Sequence, residues 1–538
     1  MAAGSGRRRG VVPSGTGIAL LLGATFLLAA AASAADLSPR EKAGRRLFRK
    51  MESQAGARIT AYVGKESMQA PGGVFPCVNC HDLGGRGKIE AGVAAPDITW
   101  TELTKPYGAS FEGGRRRPAY TEESLRRAIA EGVDPGGNRL DPVMPRYRMT
   151  EQDMAFLVAF LRRLGTETEP GLTRDAILVG TLLPSGGPLA GPGESMRRVL
   201  AAYFGEVNEG GGVYGRRIEL VVGGYGGPGE AVLAAARGLV REREVFALVS
   251  GFTIGADREV AALSEEEEVP LVGPYTLVAQ ETLTLNRYSF YLYSGLEQQA
   301  AAFLAWAGRE LVPRPGRVAI VHEEGRIPGE TLTFLEERAG RAGFGTVDRI
   351  PLREGEGDPR KLFGPSREEM PGVVLFLGPW EEARRLFAYA AQTGWAPHLF
   401  LPGSRVGKDV FDLPGGFRGT LHLSYPTRPS DAAGPGGREL GNLQGRHGIP
   451  RDHLTAQVAA YAAARVLTEA LKTAGKELDR ETLILRLEKI YRFDTGVTPP
   501  VTFGPNRRVG ALGAHLVRVD PEGRTFVPEG GFVELEER

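Results

Sequence analysis

The sequence predicts a multidomain chain: a smaller N-terminal domain followed by an α/β region folded as two lobes. Three observations predict it. The only two cysteines among 538 residues, Cys77 and Cys80, sit in the run FPCVNCHDLGG (75–85), with His81 directly after them. A short polar stretch with Pro and Gly, GTETEPGLT (165–173), separates two kinds of pattern. Beyond it, apolar runs of strand length alternate with amphipathic helical segments, which is how parallel α/β sheets read in sequence. The charge is nearly balanced, 66 Lys+Arg against 65 Asp+Glu. That excludes a nucleic-acid binder working by bulk charge. An apolar fraction of 42% supports globular folding over disorder.

The first segment reads as a targeting signal. Arg7, Arg8 and Arg9 form a basic start, an apolar run follows from Ile18 to Ala32, and Ala32-Ser33-Ala34 offers a small-x-small cleavage site. Cleavage is expected after Ala34 or Ala35, giving a signal peptide over 1–34. The run is shorter than the ~20 residues of a spanning helix, so an uncleaved anchor is the weaker alternative. Arg8 to Val12, RRGVV, loosely fits a twin-arginine export signal. The mature chain is expected in the periplasm, an oxidising compartment.

In that compartment a cysteine pair has four readings: a disulfide, a thiol redox motif, half a zinc site, or haem attachment. Zinc needs a second Cys/His pair, and the other six histidines are scattered between His322 and His515. A thiol redox motif does not require the adjacent histidine. In C-x-x-C-H the two sulfurs add to the two haem vinyl groups and the histidine becomes an axial ligand, so the haem reading uses every group; a chance pattern is the alternative. For the second axial position the region has no other histidine. Lysine or the N-terminus is uncommon, which leaves a thioether from Met51, Met68, Met144, Met149 or Met154. Pro145 keeps Met144 in extended chain. Met149 and Met154 flank a Thr150 N-cap as a hydrophobic staple, and Met154 continues into the apolar stripe Leu157, Val158, Leu161.

The segment Leu37 to Gly165 resembles a class I cytochrome c. SPREKAGRRLF (38–48) looks like that family's first helix. Ser38 and Glu41 form a capping box, Pro39 stands at the first helical position, and Gly44 and Phe48 lie on the face that meets the last helix. APDIT (95–99) resembles the loop whose proline carbonyl supports the proximal histidine, a role that falls on Pro96. LDPVMPRYRMTEQDMAFLVAFLRRLG (140–165) resembles the distal-ligand loop and last helix, placing the distal ligand at Met144. The resemblance implies an all-α domain over 36–166 with one covalently attached haem c, held by Cys77 and Cys80, with His81 and Met144 on iron. Trp100 and the run Arg115-Arg116-Arg117 are placed to reach the haem propionates; a packed aromatic and a solvated basic loop are the plainer alternatives.

After a linker at 167–174, strands are expected at 176–184, 217–225, 245–252, 269–275, 317–323 and 372–378, with helices at 193–208 and 229–243. GTLLPSGGPLAGPGESMRRVLAAYFGEVNEGGGVYGRRIELVV (180–222), ALVSGFTIGA (247–256), VPLVGPYT (269–276) and TFGPNRRVGALGAHLVRV (502–519) resemble, in order and spacing, the type I periplasmic solute-binding proteins of the branched-chain amino-acid receptor family. The resemblance implies a two-lobed domain over 175–527. It puts Ser250, Phe252, Thr253, Tyr275 and Thr276 on loops lining a ligand cleft, and Trp380 over the ligand. Three departures argue against an α-amino acid as the ligand. Ser404 and Arg405 stand where that family places an acid, and the usual aromatics are replaced around Pro192 and around Ile327 and Pro328.

Together these readings give a periplasmic electron carrier fused to a domain that recognises a small polar solute (an amino acid or a carboxylate) or docks a redox partner protein. The alternative is an ABC-transporter receptor, working with a permease, that carries a haem-based redox sensor. Haem enzyme activity needs an open sixth position, which thioether ligation denies, so no catalytic residue is expected.

Overall fold

The computed structural model describes residues 37–536 apart from 91–92, 112–113, 166–168, 280–285, 314, 354–357, 364–369, 408, 429–430 and 432. The expected signal peptide lies outside the described residues. The chain forms two compact units that meet in sequence at the 168/169 peptide bond. No helix among the described residues is long and apolar enough to cross a membrane.

The first unit opens with α1 (Pro39–Lys50), capped by the expected box: Glu41 N donates to Ser38 Oγ and Ser38 N donates to Glu41 Oε2 at 2.7 Å. There follow β1 (Thr60–Val63), β2 (Met68–Pro71), α2 (Val78–His81), a ribbon of β3 (Ile89–Glu90) and β4 (Val93–Ala94), and α3 (Trp100–Leu103). A ribbon of β5 (Ala109–Ser110) and β6 (Arg116–Arg117), α4 (Glu122–Glu131), β7 (Arg146–Arg148) and α5 (Glu151–Leu161) complete it. Thr150 caps α5, accepting from Asp153 N.

The helices α1 and α5 cross in contact at Gly44, where an added Cβ would lie 2.0 Å from the Phe156 carbonyl oxygen. Beside the crossing, the rings of Phe48 and Phe160 pack with centroids 5.5 Å apart, both fully buried. The unit is not all-α. β1, β2 and β7 form an antiparallel sheet in the order β2-β1-β7, with Val63 opposite Met68 and Tyr62 opposite Arg146. The hairpin closes because Gly64 (φ 78°) and Ser67 (φ 52°) both take left-handed backbone.

The second unit has two doubly wound sheets. The first is parallel, in the order β18-β12-β11-β10-β8-β9, from β8 (Ala176–Pro184), β9 (Arg217–Tyr225), β10 (Ala247–Val249), β11 (Leu271–Val272), β12 (Ser289–Tyr293) and β18 (Val509–Ala511). Helices α6 (Ala190–Glu209), α13 (Pro435–Arg446), α14 (Leu454–Ala474) and α15 (Arg480–Leu487) share one core with this sheet, and α7 (Glu230–Arg237) and α8 (Asp257–Glu267) share another.

The second sheet runs β14-β13-β15-β16-β17-β19-β20, from β13 (Arg317–Glu323), β14 (Thr346–Leu352), β15 (Val373–Leu377), β16 (His398–Pro402), β17 (Thr420–Tyr425), β19 (Gly513–Asp520) and β20 (Thr525–Glu534). It is parallel as far as β17 and antiparallel beyond. Its faces are covered by α9 (Leu296–Glu310) and α10 (Gly329–Arg341) on one side and by α11 (Pro359–Phe363) and α12 (Trp380–Thr393) on the other. Strands β10 and β15 are buried at every residue, which is why they read as unbroken apolar runs rather than alternating ones. The chain changes sheet between β12 and β13, after β17, and between β18 and β19, so neither lobe is contiguous in sequence.

Three expected elements are trimmed. The strands expected at 245–252 and 269–275 pair only at 247–249 and 271–272, and their ends become loops. The helix expected over 229–243 passes from α7 into a π-helical turn at 238–242.

Candidate functional site

In the first unit, the single turn of α2 brings the motif together. Cys77 is its N-cap, and the Cys77 carbonyl accepts from Cys80 N at 3.2 Å and His81 N at 3.0 Å. Cys77 and His81, four apart, therefore share a face. Both thiols are free; Cys80 is exposed. Desolvation pushes the Cys77 thiol up to about 12, so it stays protonated and is a poor candidate for thiolate redox exchange.

His81 is buried, and burial lowers its pKa, keeping the ring neutral. Its Nδ1 lies 3.0 Å from the Pro96 carbonyl oxygen. A carbonyl only accepts, so Nδ1 carries the proton and Nε2 keeps its lone pair, the state a metal-binding histidine needs. The Pro96 loop is fixed by backbone bonds from Ala95 N to Lys88 O and from Ile98 N to Gly85 O. The approach is so close that a Cβ on Gly87 (φ 78°) would sit 2.1 Å from the Ala95 carbonyl oxygen.

Cys77, His81, Pro96 and Met144 line one cavity of about 750 Å³, its open mouth included, whose walls include Leu103, Leu125, Ile129, Leu157 and Leu161. None of the other four candidate methionines lines it. Met51 and Met154 are buried in the core, Met149 packs against it, and Met68 is exposed on β2.

Arg115 and Arg117 also line the cavity. Arg117 is 6% exposed, and its guanidinium donates to the carbonyls of Leu103 and Pro118, both at 3.2 Å, and stacks on Tyr120 at 4.7 Å. A buried cation without a carboxylate partner among the described residues, on the wall of an apolar cavity, marks where an anionic group of a ligand fits. Arg115 lies over Phe111 and 3.9 Å from the buried Asp134. The donor set of one neutral imidazole, one thioether and two thiols, with cations set apart in an apolar chamber, fits covalent haem. Trp100 packs against the core of this unit, with the Arg162 guanidinium over its ring at 5.6 Å.

In the second unit, five of the six expected cleft residues come together on the loops after β10 and β11. Phe252 bridges to Tyr275, with rings 5.0 Å apart. Thr253 Oγ1 donates to Asp257 Oδ1 at 2.8 Å, and Thr276 Oγ1 accepts from Val278 N. Burial raises the Asp257 pKa, opposed by the hydroxyls of Thr276 and Thr253. Ser250 is fully buried in left-handed backbone (φ 49°), and its Oγ has no hydrogen-bond partner among the described residues. Trp380 stands in the other lobe. Its Nε1 donates to Asp409 Oδ1 at 2.8 Å and its ring packs on Phe387.

Sequence reasoning missed several features. Arg405, at the end of β16, pairs with Glu323 at the end of β13 at 3.3 Å, across 82 residues. Asp134 holds the turn DPGGN (134–138) by accepting from Gly136 N and Asn138 N. Asn138 then holds the Arg116 carbonyl at 2.8 Å, which fixes the arginine-bearing strand. The Asp-Pro-Gly-Gly-Asn composition was the available signal.

Two family profiles match the chain: Cytochrome c over residues 64–165 and Periplasmic binding protein over 176–524. The Leu/Ile/Val-binding protein BraC3 of Rhizobium johnstonii is 24% identical over 339 residues, covering 61% of this chain and 87% of that protein. Among solved structures, a branched-chain amino-acid ABC transporter protein from Thermus thermophilus with bound valine aligns at TM-score 0.51 and 18% identity, covering 67% of this chain and 97% of that one. A fatty acid ABC transporter substrate-binding protein from Thermomonospora curvata aligns at TM-score 0.50 and 21% identity, covering 69% and 95%. At these identities the structural likeness speaks for the fold. A cytochrome c domain implies covalently bound haem c, and the relatives matched are binding proteins. The chain belongs to the periplasmic binding protein family and carries a cytochrome c domain ahead of its solute-binding domain.

Proposed function

We propose that this protein is a periplasmic one-electron carrier with a single haem c, fused to a receptor for a small polar solute. One observation carries the reading: His81, with Nδ1 committed to Pro96, lines the same chamber as Cys77 and Met144. A single C-x-x-C-H and only two cysteines support a count of one haem. When bound, the haem supplies a reversible iron couple. Cys77 and Cys80 anchor it, His81 and Met144 offer Nε2 and thioether sulfur, and Arg115 and Arg117 neutralise the propionates. The apolar walls exclude water, and the Met144 thioether would occupy the position a haem enzyme would leave open. Ser250, Phe252, Thr253, Tyr275 and Thr276 form one side of the solute site. The Arg405–Glu323 pair in the other lobe, in place of a lone acid, favours a carboxylate-bearing solute over an α-amino acid. An electron donor or acceptor protein and an ABC permease are the partners this reading implies.

The test is the intact mass of the exported protein and a potentiometric titration. A mass gain of one haem, lost in the double variant C77S/C80S, and a one-electron wave are expected. Absence of covalent haem in the exported wild type would sink the reading.

A further inference from the structure

Met144 sits in a connection poorly equipped to hold itself. Between Leu140 and Arg146 two residues, Pro142 and Pro145, have no N–H to donate. Three of the remaining backbone donors of the turn are spoken for: Leu140 N reaches the Gly132 carbonyl, Val143 N the Asp141 side chain, and Met144 N the Asp141 carbonyl. The carbonyls of Leu140 and Met144 need a donor from elsewhere.

One side chain supplies it. Arg146 Nη2 donates to Leu140 O at 2.7 Å, and Nη1 donates to Asp141 O at 2.9 Å and to Met144 O. The guanidinium lies flat against the end of α4, where Gly132 caps the helix in left-handed backbone (φ 70°) and a Cβ would stand 1.9 Å from Arg146 Nε. The backbone of Arg146 is itself fixed, as Tyr62 and Arg146 pair across β1 and β7, and the adjacent Tyr147 hydroxyl donates to the Phe75 carbonyl just before the cysteine motif. The planar fork thus ties the Met144 turn to a helix end and to a sheet.

We infer that Arg146 is the positioning residue for the Met144 thioether, a clamp that keeps the sulfur at the iron and foreign ligands off it. The inference rests on the haem reading above. Lysine does not replace the fork, because a point charge cannot satisfy three carbonyls in one plane.

The test uses the full haem-loaded chain in its ferric state, with imidazole as the competing ligand and the far-red thioether-to-iron absorption band as the reporter of Met144. R146Q is expected to raise apparent imidazole affinity about tenfold and to weaken the band, because the turn now opens in a larger fraction of molecules. R146K should fall between R146Q and wild type, and it carries the comparison if R146Q does not accept haem. In an M144A background the substitution should change imidazole affinity no further. Wild-type imidazole affinity and an unchanged band in R146Q would overturn the inference. An equal gain with and without Met144 would also overturn it, since Arg146 would then act on the packing of the whole unit. A wild type without the band, matched by M144A, would remove Met144 as the ligand and sink the ligand assignment itself.

Discussion

The two units of this chain keep their polar groups in opposite ways. Around the haem chamber, most functional groups are held through backbone carbonyls, His81 by that of Pro96, Arg117 by two and the Met144 turn by a guanidinium on three, while Arg115 lies by the Asp134 carboxylate. In the solute-binding unit the candidate groups are side chains on strand-end loops, and one of them, the Ser250 hydroxyl, is buried with no partner among the described residues. The charges also differ. Residues 37–165 hold 21 Lys+Arg against 15 Asp+Glu, whereas residues 166–538 hold 42 against 49. A chain that looks neutral overall is a basic unit joined to an acidic one. The contrast suits a site that must be rigid for a permanently attached group, and another that keeps a donor in reserve for a ligand that comes and goes. For the carrier proposed above, a basic cytochrome unit would favour an acidic redox partner, with an association that weakens with salt.

The sharpest way to break the comparison is to attack the rigid unit at its tightest contact. G44A puts a methyl where the Phe156 carbonyl oxygen stands 2.0 Å away, and backbone cannot step aside as a flexible side chain would. The α1–α5 crossing must widen, separating Phe48 from Phe160. A loss of about 3 kcal/mol is expected from such overpacking. Unfolding of the full chain, followed by haem absorbance for the first unit and by far-ultraviolet dichroism for both, should show the first transition fall while the second stays. A shift of both transitions together would mean that the units do not unfold independently.

S250A tests the other half of the contrast, with a smaller effect of opposite sign. Removing an unpaired buried hydroxyl relieves its desolvation, so the second unit should gain about 1 kcal/mol in denaturant unfolding. Solute affinity, measured by calorimetry with whichever carboxylate binds the wild type, should fall about tenfold, the exchange of stability for function seen where a site is held ready. A destabilised S250A would show that the hydroxyl has a structural partner and that no donor is held in reserve.

How much of this was legible depends on how local each determinant is. The haem motif is five consecutive residues whose helical turn is enough to assemble Cys77 and His81. The helix caps at Ser38 and Thr150 are equally local, and both are formed. Strands buried on both faces, such as β15, announced themselves as apolar runs. The β1–β2–β7 sheet did not, because its strands are three or four residues long and one is supplied from more than seventy residues away. Arg146 gave no signal, since its role depends on carbonyls left over when two prolines withdraw donors. The resemblance put Trp380 over a ligand, and its bond to Asp409 forms across a loop that strand patterns do not describe. The Arg405–Glu323 pair joins the ends of strands that are not sheet neighbours, a consequence of winding order rather than of local sequence.

The smallest effect separates the units by pH. His398, at the start of β16, has its Nδ1 3.1 Å from His422 Nε2, and His422 Nδ1 lies 2.6 Å from Glu529 Oε2 on β20. Burial, then the neighbouring His422, lowers the His398 pKa below its ordinary 6.5, while Glu529 acts in the opposite direction. The unfolded chain therefore takes up this proton before the folded one. The stabilisation of the neutral ring is complete above pH 6.5 and is lost as pH falls from there toward the lowered folded value. Because His398 is only partly buried, the expected difference is small. The second unit of wild type should lose about a degree or two more in Tm than H398Q between neutral and mildly acidic pH. The first transition should move equally in both proteins, since the substitution lies in the other unit. Parallel Tm profiles for the second transition would mean that His422 and Glu529 accept the charged ring in the fold, leaving the pair's proton count the same folded and unfolded.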